Sequence, residues 1–169
     1  MADISMYRIL IGTITVGLCF QVPEIAMAAS ATTTMGISAT VLSACIVTAN
    51  SMAFGNYNPT SASPTDATST FDVICTAGTS YSVGLNAGTK AGATVTTRQM
   101  TSGGNSLSYS LYSDSSRSTN WGNTPGTDTP SPTTAGVLPS TFTVYGRIPA
   151  QQNVPTGSYA DTVTITVSY

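Results

Sequence analysis

Beyond position 28, covalent chemistry would fall first to Cys45 and Cys75, and the sequence gives neither a catalytic partner. A cysteine nucleophile needs a base to form its thiolate. The 169-residue chain has no His, and its single Glu, Glu24, lies within the first 28 residues. The remaining acids, Asp66, Asp72, Asp114, Asp128 and Asp161, are widely dispersed, and the one lysine is Lys90. This inventory offers no triad, no Ser-Lys pair and no metal cluster, so an enzyme is not expected, nor a cofactor. Lys90, Arg98, Arg117 and Arg147 read as solvated surface charges. Charged residues make up 7% of the chain and the net charge is −2, which argues against the basic stripe a nucleic-acid binder needs. The two cysteines are left with one plausible task, which is to join each other.

The start of the chain supports that reading. Arg8 and the amino terminus form a weakly basic start, Ile9 to Phe20 is a short apolar run, and Pro23 breaks it. Ala26-Met27-Ala28 fits a small-x-small cleavage pattern, so residues 1–28 are expected to be an export signal removed before Ala29. Cys19 follows Leu18 rather than a small residue and reads as part of the apolar run, not as a lipid attachment site. The run is shorter than the roughly 20 apolar residues of a membrane helix. In an exported protein an even pair of cysteines reads as a disulfide, here closing a loop of about 30 residues. The chain beyond the signal is long enough for one domain with a real core.

The elements that must position these residues are strands. Phe71, Val73 and Cys75 share one face of a strand; after an Ala77-Gly78 turn, Tyr81, Val83 and Leu85 share another, an expected hairpin. Asn50 to Thr70 holds Gly55, Asn56, Asn58, Pro59 and Pro64 and reads as loop around a short piece at Met52 to Phe54. Val95 to Met100 is a weaker strand, with a Gly103-Gly104-Asn105 turn after it. Leu107, Tyr109 and Leu111 then alternate with serines. Asp114 to Ser140 reads mostly as surface loop, with Trp121 a packing lid over the core. Phe142, Val144 and Ile148 share a face across Gly146. About seven short strands with no amphipathic helical stretch indicate an antiparallel β-sandwich.

Both ends of this sandwich draw attention. In the last stretch, Val163, Ile165, Val167 and Tyr169 alternate with Thr162, Thr164, Thr166 and Ser168, the pattern of a half-buried strand. Since the sequence stops on this strand, its edge is expected to be covered by another chain, through strand addition. At the other end Met35, Ile37, Ala39 and Val41 alternate with small residues, and the pattern runs into Val47. One long strand is possible; the favoured reading divides it into an N-terminal segment ending at about Ala39 and a first domain strand carrying Leu42, Cys45 and Val47. A single chain laying its own N-terminal segment beside its last strand is the alternative, giving a closed monomer.

Several motifs in order resemble the spore coat protein U domain, the subunit type of archaic chaperone-usher pili. They are Ser43-Ala44-Cys45; Phe71-Asp72-Val73-Ile74-Cys75; Arg98-Gln99-Met100 with Gly103-Gly104; Leu107-Ser108-Tyr109-Ser110-Leu111-Tyr112 with Asp114; Trp121-Gly122; Tyr145-Gly146-Arg147-Ile148-Pro149; and Val154 to Val163. The resemblance covers essentially all of the chain after the signal and is greatest to the major subunits of Csu-type pili. Asn123 stands where the family would suggest Asp. The resemblance implies an all-β fold, an incomplete immunoglobulin-like antiparallel sandwich lacking its last strand, which a donor strand from another subunit completes. It implies a donor extension over 29–39, a pilin domain over 40–169, and a periplasmic chaperone, an outer-membrane usher and neighbouring pilin subunits as partners. Ala31, Thr33, Met35, Ile37 and Ala39 would be the donor residues. Val163, Ile165, Val167 and Tyr169 would form the acceptor edge and chaperone contact, with Cys45 and Cys75 tying the first strand to the next. The function implied is a structural subunit of an extracellular pilus, serving attachment and biofilm formation. A self-complemented binding or coat protein is the other reading.

Overall fold

The computed structural model describes residues 27–169, so the expected export signal, 1–28, lies outside the described residues except for Met27 and Ala28. The chain divides into two units between Ala39 and Thr40. In the first, the segment from Met27 to Ala39 forms no regular element, and each of its side chains is exposed. The second piece carries eight strands and no helix.

The strands are β1 (Cys45–Ala49), β2 (Thr65–Cys75), β3 (Ser80–Leu85), β4 (Arg98–Ser102), β5 (Asn105–Tyr112), β6 (Thr133–Thr134), β7 (Ser140–Ile148) and β8 (Ile165–Ser168). One sheet has the order β1-β2-β7-β5-β4 and the other β6-β3-β8, with every ladder antiparallel. The fold is an immunoglobulin-like sandwich, as expected. The alternating patterns explain its core. Phe71 and Val73 of β2, Leu107, Tyr109 and Leu111 of β5, and Val144 and Ile148 of β7 face Tyr81, Val83 and Leu85 of β3, and all are buried. Apolar burial on this scale, at roughly 25 cal/mol per Å² removed from water, is the main term holding the sheets together.

The expected hairpin between Phe71–Cys75 and Tyr81–Leu85 does not form. β2 already has β1 on one edge and β7 on the other, so β3 crosses to the opposite sheet. The Ala77-Gly78 turn makes this crossing: Thr79 N donates to Thr76 O at 3.0 Å, and Gly78 takes φ +82°, a conformation a residue with a Cβ resists. β2 also begins inside the stretch expected to be loop. Thr65 to Thr70 pair with Ile148 to Thr143 of β7, and Asp66 opposite Arg147 fixes that register with a two-pronged ion pair of 2.7 and 2.8 Å. No strand forms at Met52 to Phe54, although both side chains pack against the core. β1 starts at Cys45, leaving Leu42 outside it and 77% exposed. β4 begins at Arg98 rather than Val95, and β8 covers only Ile165–Ser168 of the expected terminal strand.

Trp121 is more than a lid. It is 1% exposed and joins both sheets: its backbone N donates to Leu111 O of β5 at 2.9 Å, and its indole Nε1 donates to Val83 O of β3 at 2.8 Å. Phe71 and Phe142 stack beside it with centroids 5.2 Å apart. The loop after Trp121 folds over the outer face of β3, where a Cβ on Gly84 would fall 2.5 Å from Asn123 Oδ1. Gly84 is therefore fixed by close approach, not by a turn.

Cys45 and Cys75 are bonded to each other and sit opposite in the β1–β2 register. The bond anchors a strand whose other residues are mostly exposed. Replacing both cysteines by serine is expected to lower unfolding free energy by roughly 3 to 4 kcal/mol on the chain-entropy scale for a loop of this size. Urea unfolding of the variant, against the parent with and without reductant, checks this; a loss below about 1 kcal/mol would show that β1 holds without its covalent tie.

Candidate functional site

β8 is where the sheet is unfinished. Its residues pair with β3, from Leu85↔Ile165 to Ser82↔Ser168, and among the described residues no strand pairs with its other edge. β1 is likewise the last strand of its own sheet, with β2 as its single neighbour. Val163, Ile165 and Val167 are half-buried and pack against the core, while Thr162, Thr164, Thr166 and Ser168 are exposed. This is the alternation read from the sequence. Tyr169 is 62% exposed.

Beside that edge opens a cleft of about 520 Å³. One wall runs from Ala49 to Met52 and Phe54, the other from Tyr159 to Ile165, and Phe71, Leu85, Leu111 and Val144 form the floor. Such a floor, apolar and lined by residues of both sheets, marks an interrupted core more than a polar ligand site.

The second wall is not a strand before Ile165, yet it is fixed along its length. Ala160 and Thr101 exchange backbone hydrogen bonds of 2.9 and 3.1 Å. Asn86 takes the place of a strand partner for Thr164: its backbone N donates to Thr164 O at 3.1 Å, and its side-chain Oδ1 accepts from Thr164 N at 2.8 Å. Asp161 is the strongest pin. Its carboxylate accepts from Thr89 N and Thr89 Oγ1, from Thr162 N, each at 2.8 Å, and from the Tyr109 hydroxyl at 2.7 Å. Burial by itself would raise the Asp161 carboxyl, but these donors overcome it and hold the group below the usual carboxylate range. Burial first, then the bond to Asp161, pushes the Tyr109 phenol up. Gly88 permits the approach, since a Cβ there would collide with the Asp161 carboxylate.

Arg98 supports the same wall and corrects its reading as a solvated charge. It is fully buried, and its guanidinium donates to the carbonyls of Asn86 at 2.8 Å, Val95 at 2.5 Å, and Leu85 and Trp121 at 2.7 Å. Burial lowers its pKa, and Tyr109, Asp128 and Asp161 act in the other direction. A buried guanidinium is tolerable when its donors are satisfied. The bonds to Leu85 and Asn86 fix the end of β3 that holds Thr164. The signal in the sequence is parity: Arg98 and Met100 pair with Tyr109 and Leu107, so both share the inward face. Arg117 and Arg147 instead flank Asp66, at 3.3 and 2.7 Å, with the Arg117 guanidinium 5.7 Å above the Tyr145 ring.

Of the expected donor residues, Ala31, Thr33, Met35, Ile37 and Ala39 all have exposed side chains, Met35 at 83% and Ile37 at 89%. Among the described residues no group of His, Cys, Asp or Glu could hold a metal ion, and no helix is long and apolar enough to cross a membrane.

The model of the Spore Coat Protein U domain matches residues 31–166. The chain belongs to this family. Protein U of Myxococcus xanthus, a relative in sequence, is 37% identical over 160 residues, covering 85% of this chain and 88% of that protein. A solved relative comes from the crystal structure of the CsuC-CsuE chaperone–tip adhesion subunit pre-assembly complex from archaic chaperone-usher Csu pili of Acinetobacter baumannii. It matches with a TM-score of 0.54 at 27% identity, covering 77% of this chain and 40% of that one. The chain thus spans less than half of that solved chain.

The hydrogen bonds to Asp161 carry a pH dependence. Its folded pKa lies below the unfolded value, so its stabilisation is complete above the ordinary carboxylate range and is lost as pH falls through the lower, folded value. Urea midpoints measured from about pH 5 down to about pH 2 are expected to fall for the parent and to fall less steeply for Asp161→Asn. Equal slopes would remove Asp161 from the forces that fix the wall.

Proposed function

We propose that this chain is a pilin: a structural subunit that polymerises by donor-strand complementation into a chaperone-usher pilus on the cell surface. The observation that carries the reading is the free edge of β8 above an apolar-floored cleft. A strand laid there satisfies the backbone groups of that edge and extends an antiparallel ladder. Alternate side chains then point into the cleft, each worth roughly 1.5 to 3 kcal/mol when fully buried.

The donor is the 29–39 segment of another copy, presenting Met35, Ile37 and Ala39, with Thr33 and Ala31, to the cleft along Val163, Ile165 and Val167. Head-to-tail contacts of this kind are heterologous and propagate into a fibre unless the geometry closes a ring. Before assembly a periplasmic chaperone covers the edge as far as Tyr169, and an outer-membrane usher exchanges it for the next subunit. The similarity to a chaperone–subunit complex supports the chaperone as a partner. Attachment and biofilm formation are the roles such a fibre would serve. Membership of a family described by a spore coat protein favours a second reading, a self-complemented coat domain that needs no second copy.

The two separate on electrophoresis in SDS, with and without heating, of protein exported beside its chaperone and usher. The pilin reading expects a ladder of multiples that collapses to monomer on heating, and its loss in Ile37→Asp, where a carboxylate would have to enter the apolar cleft. A monomer band in every lane would overturn it in favour of the closed domain.

A further inference from the structure

The outer face of the five-stranded sheet holds a charged group with a surplus. Among the described residues the cations are Lys90, Arg98, Arg117 and Arg147, and Arg98 is taken up by carbonyls in the interior. Arg117 and Arg147 are the cations that remain besides Lys90, and both meet one carboxylate, Asp66. Arg147 alone would lock the β2–β7 register, through Nε to Asp66 Oδ1 at 2.7 Å and Nη2 to Asp66 Oδ2 at 2.8 Å. Arg117 is a second guanidinium on an ion pair already complete, its Nη1 lying 3.3 Å from Asp66 Oδ2. The bond from Arg147 holds the Asp66 carboxyl below the usual carboxylate range, so Asp66 is ionised at neutral pH. Two guanidiniums around one carboxylate leave a net positive charge.

The loop after β5 is shaped to bring Arg117 there. The Asp114 carboxylate accepts from Ser118 N at 3.1 Å, from Thr119 N at 2.6 Å and from the Ser116 hydroxyl, and Arg117 N donates to Asp114 O at 3.0 Å. Within that turn Arg117 takes φ +56°, a conformation that residues with a Cβ seldom adopt. Its guanidinium stands 5.7 Å from the centroid of the Tyr145 ring, and its Nε donates to Gly146 O at 3.2 Å. These contacts hold the head group in place while leaving Arg117 Nη2 without an acceptor among the described residues. Arg147 Nη1 is in the same condition.

We propose that Arg117 and Arg147, with Tyr112 beside them, bind the carboxylate groups of an acidic polysaccharide. The register places the site. Across β2, β7 and β5, Asp66, Arg147 and Ser110 stand in one row, and Thr68, Tyr145 and Tyr112 stand in the next row of the same face. Such rows lie roughly 7 Å apart and neighbouring strands about 4.8 Å apart, the scale of a sugar ring and its substituents. A guanidinium takes a carboxylate in a planar fork, as Arg147 already takes Asp66. Tyr112 is half-buried, and among the described residues no aromatic ring or cation is stacked on it. Its ring offers an apolar face to the C–H side of a sugar, with the Ser110 and Thr68 hydroxyls near at hand. As the face of a sheet the site is open rather than enclosed, which suits a polymer lying across it better than a small molecule. Nucleic acid would call for a basic stripe, which so small a surplus does not form. The site is independent of strand donation, since β8 belongs to the other sheet.

The test uses the full exported chain, immobilised, with trigalacturonate and its methyl ester as soluble probes in surface plasmon resonance at low salt. The expected result is saturable binding of the acid, with the ester, which keeps the rings and loses the charges, at least about tenfold weaker. Arg117→Gln, a change on a loop outside the ladders, is expected to weaken binding of the acid at least about fivefold. Asp66→Asn is expected to strengthen it at least about threefold, because both guanidiniums lose their internal anion, a rise that a merely structural triad does not give. Failure of the parent to bind, an ester bound as tightly as the acid, or an Arg117→Gln affinity equal to the parent's would each overturn the proposal. So would an affinity at or below the parent's in Asp66→Asn that keeps the parent's circular dichroism. A single-stranded oligothymidylate of equal charge that binds more tightly than trigalacturonate would overturn the polysaccharide in favour of nucleic acid. None of these outcomes bears on the heat-sensitive ladder, so this proposal and the pilin reading fail separately.

Discussion

A β-strand has two edges, and in this domain one edge of β8 has no strand beside it among the described residues. The surrounding features can be understood as ways of keeping that edge in a usable shape. An apolar floor under an open edge ordinarily invites collapse or slippage, since a two-residue shift keeps the same side chains inward. Here the wall leading into β8 is fixed by hydrogen bonds instead of by a neighbour: Ala160 to Thr101, Asp161 to Thr89 and Tyr109, and Thr164 to Asn86. The cleft is thus held open by the domain's own hydrogen bonds.

That arrangement is supported by groups that a small apolar core would usually avoid. Arg98 has its donors taken up by four carbonyls, and Trp121 bridges both sheets through its backbone and its indole. Both act at the junction of β3, β4, β5 and the long loop. The disulfide acts at the other end, where β1 has a single partner and a mostly exposed face.

Much of this is legible in the sequence because the period of two is a direct imprint of which side chains face the core. Phe71 to Cys75, Leu107 to Leu111 and Val163 to Val167 all lie where their alternation puts them. Pairing is less legible. Nothing local in Ala77-Gly78 distinguishes a hairpin from a crossing between sheets; the decision is made by β7, which occupies the edge of β2 from about seventy residues further along the chain. Thr65 to Thr70 look like loop in the sequence because their stability lies in that same distant ladder. Arg98 misleads because charge suggests solvent, while the carbonyls that accept its donors belong to residues whose convergence only the fold reveals. The free edge itself is anticipated by pattern, but the polar pins that shape its approach are not: Asp161, Thr89 and Asn86 carry no periodicity.

The pairing of Leu85 with Ile165 has a further meaning in time. About half the length of the chain separates the two halves of that ladder, and contacts so distant in sequence form late and slowly, because loop closure precedes any reward. During synthesis the floor residues Phe71, Leu85 and Leu111 are made well before the strand that borders them. A newly made chain therefore spends its most aggregation-prone interval with both the floor and the later edge uncovered. Any protein that bound the floor at this stage would have to be present before β8 docks.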